Sequence, residues 1–212
     1  MKAATRSRWL ELTRRRRAAR RGRQMLEEKR GALIIAVSAA RRRHDAAREL
    51  ASASLDAARA ALAAAEVEIG PRTVEAAALA QPPGAEVALD RESLLGVPLT
   101  RLSSNPVPSR LGFAPGGTSA SLDRAALAFA EAMPLVFGLA REELALRGLL
   151  SGLARTSRRC NALEHVLLPE LDFEIRSIED VLEEEARDEA VRIRRRSARR
   201  AASSHRERSD RA

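Results

Sequence analysis

No proline interrupts the chain between Lys2 and Ile69, and glycine occurs there only at Gly22 and Gly31. Nothing in that stretch ends a helix before Gly70-Pro71. The spacing therefore predicts one helix over residues 1–69, about 100 Å long at 1.5 Å per residue. Its apolar positions step by three and four through Trp9, Leu12, Ala19, Leu26, Leu33, Val37, Ala40, Ala47, Ala51, Ala58, Ala61 and Ala65. Arg16, Arg23, Arg30, His44 and Ser54 share the ladder, so the stripe is imperfect. The alanines of its second half suit close approach to a partner helix.

Seven of the nine prolines and six of the eleven glycines fall in residues 70–121. No long helix is expected there. Short apolar runs between Glu86 and Leu102, separated by turn residues, predict short strands in a hairpin or an irregular cap. Helical periodicity returns after Ser121, which stands as an N-cap before Leu122-Asp123, and continues to about Arg196. Its ladder runs Leu146, Leu149, Leu153, Thr156, Cys160, Leu163, Leu167, Leu171, Ile175, Ile178 and Leu182. Three consecutive steps of four surround Pro169, which amounts to a stutter with an added bend. Two long ladders around a compact middle predict an all-α fold. It is a long antiparallel two-helix coiled coil with a short irregular or β-hairpin middle region. The parts are an N-terminal helix over 1–69, a Pro/Gly-rich cap or hairpin over 70–121, a C-terminal helix over 122–196, and a basic flexible tail over 197–212.

Charge is unevenly placed. Residues 1–30 hold 12 basic and three acidic side chains and residues 192–212 hold nine and two, whereas residues 31–191 carry a net −7. An antiparallel pairing would merge the two basic ends into one tip facing an acidic or phosphate-bearing partner. Aromatic residues are only 2% of the chain (Trp9, Phe113, Phe129, Phe137 and Phe173), too few to stack nucleic-acid bases. The Arg runs at 14–17, 41–43 and 194–196 still leave a basic coiled coil that binds nucleic acid as the alternative reading, testable by its salt dependence.

Catalytic patterns are missing. The only lysines, Lys2 and Lys29, follow no phosphate-cradling G-x-x-x-x-G, and His44, His165 and His205 have no partner at metal-ligand spacing. The acids at 183–185, 188 and 189 read as a solvated helix face. Cys160 is the single cysteine, which excludes an intrachain disulfide, and its place on the ladder predicts burial. A reducing compartment follows. No apolar run reaches the roughly 20 residues that cross a bilayer, so no direct membrane insertion is expected. The Arg-rich N-terminus superficially resembles a transit peptide but lacks the apolar block of a secretory signal. No cofactor, no catalytic residue and no metal ligand is expected.

Several segments match a known pattern. Arg158-Arg159-Cys160-Asn161-Ala162-Leu163-Glu164 with Leu167, Pro169 and Leu171 resembles the R-R-x-N-A-L-E…P-x-L block of the D subunit of V-type and A-type rotary ATPases. Thr5 to Leu12, and Ala19 to Arg30, are similar to the family's N-terminal pattern. Leu95-Gly96-Val97-Pro98 and Gly117 to Asp123 are similar to its middle segments. The order and spacing agree over about residues 5–190. Gly31 after Arg30, Cys160 in place of Val and a shortened Val97-Pro98 depart from the pattern.

The resemblance implies a non-catalytic central rotor stalk, cytoplasmic and peripheral to the membrane through its complex. By rotation it would couple ATP hydrolysis or synthesis in a hexamer to proton or sodium transport. The implied partners are the catalytic and regulatory subunits of the hexamer, the small F subunit of the stalk, and a docking subunit on the membrane ring, with no nucleic acid. The gamma-type shaft of F-type ATPases is set aside, because some 50 Pro-rich residues leave no room for its central domain. Partner-interface candidates are Thr5, Arg6, Arg8, Trp9, Leu12, Arg192, Arg194, Arg195 and Arg196. The signature block Arg158, Arg159, Asn161, Ala162, Leu163, Glu164, Leu167, Pro169 and Leu171 is expected along the helix seam.

Overall fold

The structure, a computed structural model, describes residues 5–80, 86–104 and 119–209, with side chains through Ser197. Helix α1 (Arg6–Ile69) is followed by a short α2 (Pro71–Leu79), strands β1 (Val87–Leu94) and β2 (Val97–Ser104), and α3 (Ala120–Ala162). A π-helical turn (Leu163–Leu167) then leads into α4 (Leu168–Ser209). The expected all-α architecture with a β-hairpin in its middle is the one observed. Helix α4 continues past Arg196, because no proline or glycine stands between there and Ser209, and so takes in much of the segment expected as a flexible tail. No described helix is long and apolar enough to cross a membrane. The chain divides into two compact units, one made of Met1–Glu28 with Ser157–Ala212, the other of Lys29–Thr156.

In the first unit, Thr5 caps α1, its Oγ1 accepting the Arg8 N–H at 3.2 Å and so satisfying one free donor of the first turn. Leu12, Leu171 and Ile175 are buried together, flanked by Trp9, Ala19, Leu167 and Ile178. Arginines of α1 meet acids across the pair. Arg8 reaches Glu174 (3.4 Å), Arg16 reaches Asp172 (3.1 Å) and Arg23 reaches Glu164 (3.5 Å), with positions rising on one helix as they fall on the other. The pairing in this unit is therefore antiparallel. Each pair is partly exposed and weak alone. Their common sense of order still disfavours a parallel alignment, which would break all of them.

The stutter takes the form of the π turn. The Leu168 N–H donates to the Leu163 carbonyl, five residues back instead of four. Proline clashes with the carbonyl four residues before it, and for Pro169 that residue is His165, inside the widened turn. The extra residue rotates the following helix by about 100°. It carries Leu168, which the ladder omits, into the packed face, while Leu163 and Leu167 are only half-buried.

In the second unit α1 runs on to Ile69. Its buried positions fall seven apart as Leu33 and Ala40, then again as Ala51, Ala58 and Ala65. Gly70 (φ 81°) breaks the helix and Pro71 opens α2, where a missing N–H is harmless. This helix of nine residues adds to the cap or hairpin expected of the proline-rich zone. Val74 on α2 packs with Ala65 and Leu122. The α3 cap also lies elsewhere than expected. Ser119, two residues before Ser121, accepts the Ser121 N–H at 3.3 Å, and its carbonyl accepts the Leu122 N–H at 3.0 Å. Ser121 is buried and its hydroxyl bonds that of Ser119 at 2.8 Å.

Ser119 also donates to Glu68. Together with a hydrogen bond from Ser121, this holds the Glu68 carboxyl below its ordinary 4.5. A depressed carboxyl stabilises the fold above its unfolded pKa, and that contribution is lost as pH falls through the folded value. Ser119→Ala should therefore lower stability by about 1 kcal/mol at neutral pH through the lost cap. It should also flatten the acid limb of stability against pH, read by urea unfolding from pH 7 to 3.

Strands β1 and β2 pair antiparallel from Val87↔Ser104 to Leu94↔Val97, joined by Leu95-Gly96. Both loop residues have positive φ, 52° and 67°, as the type I′ class of two-residue hairpin loop requires. The hairpin docks on the helices through Val97, 2% exposed, which joins Leu33, Ala40 and Leu149. The docking site on α3 is a glycine groove. A Cβ on Gly152 would lie 2.6 and 2.7 Å from the Val97 methyls, and one on Gly148 would lie 2.5 Å from a Leu99 methyl. Gly22 and Gly31 on α1 face open space instead. Gly22→Ala and Gly31→Ala should each stabilise by about 0.5–1 kcal/mol, because alanine removes backbone freedom from the unfolded chain without meeting anything in the fold. Thermal melts of the two variants check this.

Candidate partner-binding site

The nine interface candidates all lie in the first unit and differ in what they expose. Arg6 is exposed. Arg8 is half-buried between Glu11 (2.9 Å) and Glu174 (3.4 Å). Trp9 is half-buried as well, and its indole N–H donates to Glu179 Oε1 at 2.8 Å. An open cleft beside it is lined by Arg6, Leu10, Leu182, Glu183 and Ala186. Thr5 is the cap already described, and Leu12, 1% exposed, offers packing and no open surface. Arg192, Arg194, Arg195 and Arg196 are all exposed on α4. Among the described residues none of the four has a carboxylate within ion-pair distance. The acids before them are partly neutralised by Arg187, which pairs with Glu183 (3.1 Å) and Glu184 (3.2 Å).

The signature block splits by face. Leu171 is buried, Leu163 and Leu167 are half-buried, and Glu164 pairs with Arg23. Arg158, Arg159, Asn161, Ala162 and Pro169 point outward. Packing within the chain accounts for the first group and leaves the second without a role. The acids that organise this surface, Glu164, Asp172 and Glu179, recur every seven or eight residues along one flank. That spacing is a signal in the sequence for acceptors set to meet α1 donors, Arg23, Arg16 and the Trp9 indole, and a search for apolar ladders passes over it.

A profile for the D subunit of ATP synthase matches residues 9–197. The chain belongs to the ATP synthase D-subunit family. Among curated relatives, the A-type ATP synthase D subunit of Methanopyrus kandleri is 37% identical over 150 residues, 70% of this chain and 65% of that protein. The A-type D subunit of Pyrococcus furiosus is 33% identical over 138 residues, 64% of each chain. The V-type ATP synthase D subunit of Thermus thermophilus is 34% identical over 136 residues, 64% of this chain and 60% of that one. The matched part thus spans somewhat less than two thirds of these relatives. The family match takes in Trp9, the whole signature block and Arg192 to Arg196, so the outward residues lie within its extent.

Proposed function

We propose that this member of the D-subunit family is the central stalk of an A/V-type ATP synthase, a non-catalytic shaft that couples ATP turnover in a hexamer to proton or sodium transport by rotation. The observation that carries the reading is the D-subunit match over residues 9–197. The physical character of the first unit supports it. A shaft needs stiffness along its axis and weak, exchangeable contacts where it turns. Packed leucines and cross-helix ion pairs supply the first, and hydrated guanidinium groups the second.

In this reading Arg6, Arg8 and Trp9, with Arg192, Arg194, Arg195 and Arg196, face the catalytic and regulatory subunits, while Thr5 and Leu12 hold the helix that presents them. The outward signature residues Arg158, Arg159 and Asn161, and the exposed strand β1, are surfaces for the small F subunit and for the docking subunit of the membrane ring. The assembly is peripheral to the membrane on its cytoplasmic side.

Replacing Arg192, Arg194, Arg195 and Arg196 together by glutamine tests the assignment. The variant should fold normally, because all four side chains are exposed. It should bind the hexamer about tenfold or more weakly, with a shallower salt dependence, since four fewer charges remain for salt to screen. Complex retained on a size-exclusion column across a potassium chloride series is the readout. Unchanged assembly and turnover would remove these arginines from the interface.

A further inference from the structure

One cluster in the first unit holds a side chain, Cys160, that the stalk reading does not use. Cys160 on α3 is fully buried and makes no hydrogen bond among the described residues. Its sulfur faces two carboxylates, Glu27 from α1 and Glu164 from the π turn. The ligand atoms Sγ and one carboxylate oxygen of each glutamate lie within 4.8 Å of one another. Arg23 bridges the acids, with Nε 3.0 Å from Glu27 and Nη1 3.5 Å from Glu164. Glu27 and Glu164 also line an open cleft with Arg20, Gln24 and Asp172, so the carboxylates are reached from solvent. Packing on the ladder accounts for the burial of the thiol, but not for its nearness to two anionic oxygens with no hydrogen bond to either. The two carboxylates pair with Arg23, and the thiol sets beside them a third, softer donor atom that this ion pairing does not use.

We propose that Cys160, Glu27 and Glu164 form a binding site for a divalent cation of borderline softness, of which zinc is the type. One thiolate sulfur and two carboxylate oxygens are a mixed donor set of the kind zinc accepts, with the cleft supplying water as a fourth ligand. Metal–ligand bonds of about 2.0–2.3 Å require the three donors to draw together by roughly 1 Å. The flexible glutamate side chains can make that movement. The thiol gives up its proton to solvent on binding, so one proton is released per ion bound. Arg23 holds the same two carboxylates and therefore competes with the metal. The bound ion would tie α1 to the helix turn that carries Glu164, replacing an exposed guanidinium bridge by coordinate bonds.

The test uses the full chain titrated with cobalt(II), which substitutes for zinc and absorbs strongly when bound by thiolate, followed by competition with zinc. One equivalent should produce a near-ultraviolet thiolate-to-cobalt band with release of one proton, and zinc should abolish the band. Cys160→Ala should lose the band. Glu164→Gln, at a side chain about a third exposed and so safe for folding, should weaken binding. Arg23→Gln should tighten it about five- to tenfold by removing the competing cation. Binding with no thiolate band, or equal binding by Cys160→Ala, overturns the site. Unchanged affinity in Arg23→Gln shows that the ion does not sit between the two carboxylates, and equally overturns it. Both results are independent of assembly with ATPase subunits, so failure here leaves the stalk reading standing.

Discussion

Leu149→Ala should lower the unfolding free energy of the chain by about 2–5 kcal/mol, measured as a fall in the urea midpoint at unchanged slope. Leu149 is among the largest fully enclosed side chains and stands at the meeting point of Leu33, Ala40 and Val97, where α1, α3 and β2 converge. Truncation removes buried apolar area and leaves a cavity as well. The cost falls toward the upper end when neighbours cannot collapse into the space. Ala40 is too small to fill it, and Val97 is branched at Cβ and pinned between strand and helix. A loss below about 0.5 kcal/mol would mean that the hairpin does not rest on the helices there.

Gly152→Ala should destabilise by about 1–3 kcal/mol although alanine is the better helix former. The added methyl meets both Val97 methyls at 2.6 and 2.7 Å and the Val97 Cβ at 3.2 Å, so no rotation of Val97 clears it. The neighbouring Gly148→Ala is the control. There the close atom is one terminal Leu99 methyl at 2.5 Å, and the next Leu99 atoms are 3.8 Å away, so a change of rotamer relieves the contact. The pair should therefore differ in sign or nearly so, with Gly148→Ala close to neutral. Melting both variants under one buffer shows whether Val97, rather than generic crowding of α3, sets the requirement for glycine.

How much of this is legible in the sequence follows from the range of each interaction. The α1 ladder is readable because helical packing repeats locally, and every ladder position from Trp9 to Ala65 is buried or half-buried. The break at Gly70-Pro71 is also local and falls where it is expected. The irregularity at Pro169 is visible as three steps of four, but its form is not. A π turn and a simple stutter leave the same trace until the position of Leu168 separates them. The α3 cap lies two residues from its expected place because Ser119-Ala120-Ser121 offers two serines, and only the direction of the backbone chooses between them. The seating of Val97 on Gly152 joins residues far apart in the chain, which no local pattern encodes. For the binding surface, periodicity separates apolar from charged faces and finds the basic ends. The outward Arg158, Arg159 and Asn161 are picked out through the family resemblance alone. Glu27 and Cys160 cannot be associated from the sequence, because nothing in either neighbourhood points to the other.

The most direct test of the central claim is a reversible lock. A cysteine placed at Arg194, exposed on α4, is cross-linked by disulfide to a cysteine on the facing hexamer subunit in the assembled complex, and ATP turnover is followed before oxidation, after it and after reduction. Native Cys160 is buried and stays out of the reaction. If this chain is the rotating shaft, turnover stops on cross-linking and returns on reduction. Turnover that continues with the cross-link fully formed would show that the chain does not rotate against the hexamer, and would contradict the account.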